Sequence, residues 1–585
     1  MPDLTPRYQW TIPAPAELSA ATVADAEARG LSPRLMRVLA RRGQPDAHSL
    51  AARFDAPERS LHDPWLLPDA ARVVERVARA VAAQERALVF GDFDADGLTG
   101  LAILTLTLRE LGIDAAPYVP HRTDEGHGIS LAAIGRAKAE GRTLLLTADC
   151  GSTSIAEIEA AHLADIDVIV TDHHTLPSVL PAAVAIVNPH RADSHYPDAR
   201  LSGAGVAFKV AQLLLSGRPG GAAKALAMAD LAAIGSVADV VPLEGENRAI
   251  CRLGLALLAN DPRPGLAALL ASARVDPRRM DRDAIAFGLA PRINALGRVG
   301  DAAGVAELLL ATDPAAIADL TARIEAANDL RRTLTTDALA EARTAVGPHP
   351  GEGMIIVAGD WPPGVIGLVA GKLAEEHGRP SVVFCTAVDP WRGSARSAGG
   401  FDLAAAFASC GQLFERFGGH PAAAGCHLPR ERYEAFRVAM ADRMMGFPAQ
   451  PRRLTLALDL VARAESVDHV LFAALAPLER AGDEPALLGI AGLVVTRARV
   501  ANGGHTQLTL RKGIDVLDAI CFGRAELAEQ LHEGDVVDVA ARLSSRTFGG
   551  HESLQLEIKD VAPSGHLAGL RRAEELSQMN VGAAG

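Results

Sequence analysis

Between Val89 and Gly97 the chain reads Val-Phe-Gly-Asp-Phe-Asp-Ala-Asp-Gly. Two apolar residues close a short strand, and Asp92, Asp94 and Asp96 follow within five positions. Carboxylates crowded this closely repel each other, and a fold tolerates them best with a cation among them. The partners that complete such a site have to come from elsewhere in the sequence.

The pattern around this loop predicts an open parallel sheet. Short apolar runs alternate with helical stretches, the βαβ rhythm. Strands are expected at Ala87–Phe90, Thr143–Thr147, Ile166–Thr171 and Ala185–Val187, with helices over 98–111, 153–164, 203–216 and 222–236. The first three strands end in Asp92/Asp94/Asp96, Asp149 and Asp172-His173-His174; the helix over 222–236 runs into Asp239. Ligands of open α/β sheets bind beyond the carboxyl ends of the strands. The clusters can therefore meet although about 80 residues separate them.

Upstream, residues 1–70 read as an N-terminal extension, an irregular start with small helices; Ser32 and Pro33 fit N-cap and N1 positions. Val73, Val74, Val77 and Val81 predict a helix over 70–84. Downstream, 261–346 is a helical connector, and 347–351 a linker. A smaller α/β domain follows over 347–447, with strands at Met354–Ala358 and Ser381–Cys385. After a linker at 448–451, residues 452–562 show strand-like runs at 454–460, 492–500, 507–510, 516–522, 536–543 and 554–558, a small barrel. Residues 563–585 form a tail. A chain of 585 residues is too long for one core, and three or four domains are the prior.

Three constellations carry chemistry. Asp92, Asp94, Asp96, Asp149, Asp239, His173 and His174 mix carboxylate and imidazole, which suits Mn²⁺ or Mg²⁺ better than a thiolate-rich zinc site. Their number is enough for two ions roughly 3.5–4 Å apart, the arrangement used in phosphoester cleavage. Singly, an Asp at a strand end is more often a helix N-cap, and a His pair a surface feature; their joint placement favours metal. The second constellation, Gly393-Ser394-Ala395-Arg396-Ser397, offers a hydroxyl, a guanidinium and close backbone N–H groups to an anion. Gly418-Gly419-His420 alone reads as a tight turn with a surface His. Arg292 and Arg298 fit phosphate clamps and interdomain salt bridges equally well. In the barrel, Arg497, Arg499, Arg511, Arg542 and Arg546 offer a basic groove, though Phe522 and Phe548 are its few aromatics. A solvated face accounts for these arginines equally well.

Bulk properties narrow the class. Apolar residues make up 49% of the chain and charged residues 22%, as in soluble globular proteins. No signal-peptide pattern opens the sequence and no apolar run reaches membrane-span length, so a cytoplasmic location is expected. The six cysteines are scattered without a Cys-x-x-Cys pair, as ordinary reduced core thiols are. A net charge of −13 argues against a sequence-blind nucleic-acid coat but leaves room for a local basic channel.

The stretches GDFDADG (91–97), TADCGS (147–152), VTDHH (170–174) and SVADVVPL (236–243) resemble, in order, the four motifs of the DHH phosphoesterases. RTDEGHG (122–128), LSGAGVAFK (201–209), APRINALGR (290–298), GVIGLVAGKL (364–373), GSARS (393–397) and GGHPAAAG (418–425) narrow the resemblance to the bacterial RecJ-type family, over about residues 30–562. That resemblance implies a parallel-sheet DHH domain at 71–260, a connector, a DHH-associated domain and an OB-fold around a central cleft. It implies Mn²⁺ or Mg²⁺, two ions, on Asp92, Asp94, Asp96, Asp149, His173 and Asp239. It gives Asp149, His174 and His420 catalytic roles, with His174 at the scissile phosphate or leaving group and His420 facing the metals. Arg292, Asn294, Arg298, Ser394, Arg396 and Ser397 fall in the stretches that hold phosphate or DNA. The implied activity is 5′→3′ exonucleolytic hydrolysis of single-stranded DNA in repair and recombination. The implied enzyme is a monomer without membrane association, partnered by single-strand-binding protein and a RecQ-type helicase. The alternatives are a non-catalytic single-strand-binding scaffold of the same fold and a DHH phosphoesterase of short oligonucleotides. The chain departs from the family pattern at Phe90, where some relatives carry a ligand His, at Trp361-Pro362-Pro363 and at Pro477–Pro485.

Overall fold

A computed structural model describes residues 4–570 apart from 44–45, 123, 348–352, 446, 448–453 and 549–550. The chain divides into two compact units, Ala56–Pro451 and Met1–Asp55 with Arg452–Gly585.

The larger unit begins with a five-stranded parallel sheet of β1 (Arg86–Gly91), β2 (Asp114–Tyr118), β3 (Leu144–Ala148), β4 (Asp167–Thr171) and β5 (Ala185–Val187). The order is β2-β1-β3-β4-β5. Alternate residues serve two cores. Ala87, Val89, Leu144, Leu146 and Ile169 face one apolar cluster, and Leu88, Phe90, Leu145, Val168 and Val170 face the other. Burial on both faces is why these strands read as unbroken apolar runs. β2 escaped the sequence reading because it is an edge strand of Asp-Ala-Ala-Pro-Tyr, and a proline is tolerated only there. The strand order reverses between β1 and β3, so the loops that leave their carboxyl ends diverge and open a crevice.

Helices α1 (Ala95–Glu110), α2 (Gly203–Leu215) and α3 (Ala229–Ala238) pack on one face of this sheet. The helix expected over 222–236 is two, Gly221–Leu226 and α3. By length and composition the stretch Gly221–Ala238 passes as a membrane span, contrary to the sequence reading, but 61% of it is buried within the fold, as a core helix is. The connector contains α4 (Ala290–Val299) and the 33-residue α5 (Pro314–Val346).

The smaller sheet comprises β6 (Ile355–Gly359), β7 (Ser381–Cys385), β8 (Trp391–Arg396), β9 (Arg416–His420) and β10 (Ala423–Leu428), in the order β9-β10-β8-β7-β6, with α6 (Ile366–His377) against it. Only β6 and β7 were legible beforehand. Gly393–Arg396 lies in a strand, and Gly418-Gly419-His420 ends an exposed edge strand rather than forming a tight turn by itself.

In the other unit, the strands Leu487–Ala501, His505–Lys512, Asp515–Cys521, His551–Pro563 and Val536–Phe548 pair in that order and close on the first, giving a five-stranded barrel. The expected strand 454–460 breaks into Thr455–Ala457 and Leu460–Ala462. The N-terminal segment belongs to this unit instead of standing apart. Its strand Gln9–Thr11 pairs in parallel with Thr455–Ala457. Leu35, Val38, Leu39 and Leu50 share a core with Leu471, Leu478 and Ile490, and Trp10 donates its indole N–H to Asp560 at 2.8 Å. Within the barrel, Arg497 and Arg499 lie opposite Thr509 and Gln507; with Arg511 they occupy one exposed face of that hairpin. Arg542 and Arg546 instead pair with Glu484 and Asp518. The Phe548 side chain, the linker residues 348–351 and 448–451, and the tail 571–585 lie outside what is described. All six cysteines are buried free thiols.

Candidate metal centre

The loop after β1 turns directly into α1. Asp94 is the N-cap: its Oδ1 accepts from the Asp96 and Gly97 amides at 3.0 and 3.1 Å. Asp96, one residue into the helix, is held by the start of α2. Its two oxygens accept from the Gly203 and Ala204 amides at 2.6 and 2.9 Å. A helix N-terminus with free N–H groups stabilises a carboxylate in this position. Asp149 follows β3 in a left-handed conformation (φ 63°). Gly203 makes room for it, since a Cβ there would stand 2.4 Å from the Asp149 Cβ. A Cβ on Gly235 of α3 would likewise fall 2.4 Å from Asp96 Oδ1. Gly203 of α2 and Gly235 of α3 therefore let the helices touch the acids.

At the end of β4, Asp172 organises the two histidines. Its Oδ1 accepts from the His173 amide (2.8 Å), the His174 amide (3.1 Å) and His174 Nδ1 (2.8 Å), and its Oδ2 from the Ser152 amide (3.0 Å). These donors hold Asp172 well below the usual carboxylate range against its burial, and its hydrogen bond lifts His174 to about 9. The Asp172 contact favours the protonated ring and fixes which nitrogen points away. His173 Nε2 lies 3.0 Å from Asp149 Oδ1, 3.7 Å from Asp96 Oδ2 and 3.8 Å from Asp239 Oδ2. Asp239 caps the C-terminal end of α3. From the smaller sheet, the His420 ring lies 6.2 Å from that of His174, nearly parallel at 17°.

Seven of the expected residues thus converge into three groups whose ligand atoms lie within 4.8 Å of one another: Asp92, Asp94 and Asp149; Asp149, His173 and His174; and Asp96, His173 and Asp239. Asp149 and His173 each belong to two groups. The donor set fits a divalent cation on two further observations. Asp92 Oδ1 and Asp149 Oδ1 are buried without a hydrogen bond, a costly state for a carboxylate oxygen unless something positive faces it. Burial, then the neighbouring carboxylate charges, pushes Asp94 and Asp149 up and Asp239 to about 7. That strain is what a cation relieves.

Beside the acids lies a cluster of guanidiniums. Arg122 covers the Phe93 ring at 4.5 Å. Arg298, on α4, donates to the Gly364 carbonyl at 3.1 Å, and Arg396, on β8, to Ser394 Oγ at 3.2 Å and the Ala395 carbonyl at 2.8 Å. Burial, then the charge of Arg122, pushes Arg298 down to about 9 and lowers Arg396. None of the three forms an ion pair among the described residues. α4 also walls the acid loop: Asn294 Oδ1 accepts from the Ala95 amide at 2.8 Å, and a Cβ on Gly297 would lie 2.8 Å from the Phe93 carbonyl. The remaining expected residues point elsewhere. Arg292 pairs with Glu325 at 2.6 Å, the salt-bridge alternative, and Ser397 Oγ donates to the Phe401 carbonyl at 2.6 Å.

Sequence reasoning passed over Asp172, Arg122 and His127. Asp172 stood in view immediately before the His pair. Arg122 and His127 belong to RTDEGHG, whose paired glycines around a His were the available signal.

Comparison with known proteins agrees with this geometry. Residues 86–236 match the DHH family N-terminal domain, 351–446 the DHHA1 domain and 458–560 the RecJ OB domain. The single-stranded-DNA-specific exonuclease RecJ of Bacillus subtilis is 31% identical over 576 residues, covering 96% of this chain and 72% of that protein. RecJ of Dickeya dadantii is 33% identical over 558 residues, covering 90% and 96%. The crystal structure of RecJ in complex with Mn²⁺ from Thermus thermophilus superposes with a TM-score of 0.78 at 28% identity, covering 95% of this chain and 79% of that one. A shared carboxylate centre, three matched domains and likeness along nearly the whole sequence place this chain in the RecJ family of DHH-type single-stranded-DNA-specific exonucleases.

Proposed function

We propose that the protein is a metal-dependent exonuclease that hydrolyses single-stranded DNA from the 5′ end, in repair and recombination. The observation that carries this reading is the adjacency of unsatisfied carboxylates and unpaired guanidiniums across one wall, Phe93 and α4.

Asp92, Asp94, Asp96, Asp149, His173 and Asp239 would hold Mn²⁺ or Mg²⁺, with Asp149 shared between two ions. Such ions, when bound, activate water and neutralise charge on the phosphodiester. Arg122, Arg298 and Arg396 grip the terminal 5′-phosphate by charge-assisted hydrogen bonds, and Ser394 braces Arg396. The scissile P–O3′ bond then lies at a fixed distance from the strand end. His174, oriented by Asp172, and His420 beside it face the phosphate or the leaving O3′. Cleavage releases a nucleoside 5′-monophosphate and leaves a new 5′-phosphate on the shortened strand, which the arginines can bind again. A single strand bends freely enough to reach from pocket to acids, whereas a duplex is stiff over about 150 base pairs.

Residues 71–260, 261–346, 347–447 and 452–562 are assigned as DHH domain, connector, associated domain and OB-fold. Family resemblance supports a cytoplasmic monomer working with single-strand-binding protein and a RecQ-type helicase.

The test is degradation of 5′-labelled single strands and duplexes with Mn²⁺ or Mg²⁺. Wild type should release labelled mononucleotide from single strands only, and Asp149→Ala should be slower by more than about 10²-fold. Equal inactivity of both proteins with intact DNA binding would leave a binding scaffold instead.

A further inference from the structure

The loop that joins β2 to the helix Leu131–Ala139 is a built element. Glu125 pins it from inside: its carboxylate accepts from Tyr118 Oη at 2.7 Å, from the His121 amide at 2.8 Å and from Ser130 Oγ. The Ile129 amide donates to Ser154 Oγ at 3.2 Å, tying the loop's far end to the loop after β3. Gly126 and Gly128 both have positive φ, 80° and 88°, a conformation that favours glycine. A Cβ on Gly128 would stand 3.1 Å from Ser154 Oγ. Between these two glycines sits His127.

His127 reaches the acid loop. Its Nδ1 lies 2.9 Å from Asp92 Oδ2, and its ring rests on Phe93 with centroids 4.5 Å apart. The imidazole is 68% exposed while the carboxylate it touches is 6% exposed, so the contact caps a buried acid from the solvent side. A carboxylate only accepts, so Nδ1 carries the proton in this pair. The consequence is a division of labour within Asp92. Oδ2 is taken by His127, and Oδ1, on the other side, is the buried oxygen without a hydrogen bond.

We infer that His127 is a positioning residue of the metal centre: by occupying Asp92 Oδ2 it turns Oδ1 towards the cation and keeps the carboxylate from rotating. This rests on the metal-centre reading above, with Asp92 as a ligand. Outer hydrogen bonds of this kind typically carry about 10- to 100-fold in metal affinity.

The test is Mn²⁺ binding without DNA, followed by the electron paramagnetic resonance signal of the free ion, on the full chain. Four proteins are compared: wild type, His127→Phe, His127→Asn and Asp92→Asn. His127→Phe keeps a ring against Phe93 and loses only the donor; it should bind Mn²⁺ about 10- to 100-fold more weakly. In His127→Asn the amide N–H stands where Nδ1–H stood, so affinity should return to within about threefold of wild type. Unchanged affinity in His127→Phe overturns the inference. Equal losses in the Phe and Asn variants overturn it too, because they assign the effect to ring packing. Wild-type affinity in Asp92→Asn sinks the ligand reading itself, and the position of His127 then has nothing to act on.

Discussion

Arg396 shows how much of a side chain's role depends on what it lacks. It is partly buried, its only described hydrogen bonds go to Ser394 Oγ and the Ala395 carbonyl, and no carboxylate neutralises it. A partly desolvated cation without an anion is a standing cost unless a ligand supplies one. Arg396→Ala should therefore lower kcat/KM on 5′-phosphorylated strands by about 10- to 100-fold, the worth of one charge-assisted contact. On 5′-hydroxyl strands it should change little; equal losses on both ends would count against the clamp. Residue identities of this kind were legible from the sequence, because Gly-Ser-Ala-Arg carries its chemistry in its letters. Their partners were not. Arg292 and Arg298 sit six positions apart on one helix, yet Arg292 pairs with Glu325 and Arg298 donates to the Gly364 carbonyl near Arg122 and Arg396. Nothing local separates the two, since the choice is made by α5 and by the turn at Gly364.

The elements divide the same way. β1, β3 and β4 were plain because bulky residues fill both faces of the sheet. β8 and β9 were hidden because the inward positions of β8 are Gly393 and Ala395, too small to give a period of two, and β9 is an exposed, glycine-rich edge. α2 was expected, but its task was invisible. Lys209, fully buried, pairs with the fully buried Glu246 at 2.9 Å and also donates to the His62 carbonyl at 2.7 Å. Glu246 accepts from Tyr196 Oη and from the His62 amide. This network pins α2 about one and a half turns from the Gly203 and Ala204 amides that hold Asp96. Breaking one side of a buried pair strands the other charge, so Lys209→Met should cost about 3–5 kcal/mol in urea unfolding. Lys209→Met with Glu246→Leu should recover most of that loss. If the double variant is no more stable than the single one, the pair is not what anchors the helix.

At the scale of the whole molecule, net charge misleads. The chain carries −13 overall, yet three guanidiniums without ion pairs stand by the acid loop and Arg497, Arg499 and Arg511 share one exposed barrel face. Affinity for a single-stranded oligonucleotide should fall steeply with salt, by a log–log slope of about −0.7 for each phosphate neutralised. A flat salt dependence in a fluorescence-anisotropy titration would argue against those patches as the binding surface. The unit boundaries were the least legible feature. Residues 1–70 read as an extension because their partners lie more than 400 positions away, where no periodicity can point. Arg42 pairs with Asp459 and Arg53 with Asp483. The nuclease unit is thus inserted into the barrel unit, and this bears on how the chain is made. On a ribosome, Leu35, Val38, Leu39 and Leu50 emerge early, but the core they complete is finished only after Ala56–Pro451 has been synthesised. At ~5–20 residues per second that interval is roughly 20–80 s, during which the nuclease unit can fold while the first helices wait with an uncovered apolar face. Chaperone dependence during synthesis is therefore expected to concentrate on the helices at the start of the chain rather than on the unit that carries the acid loop.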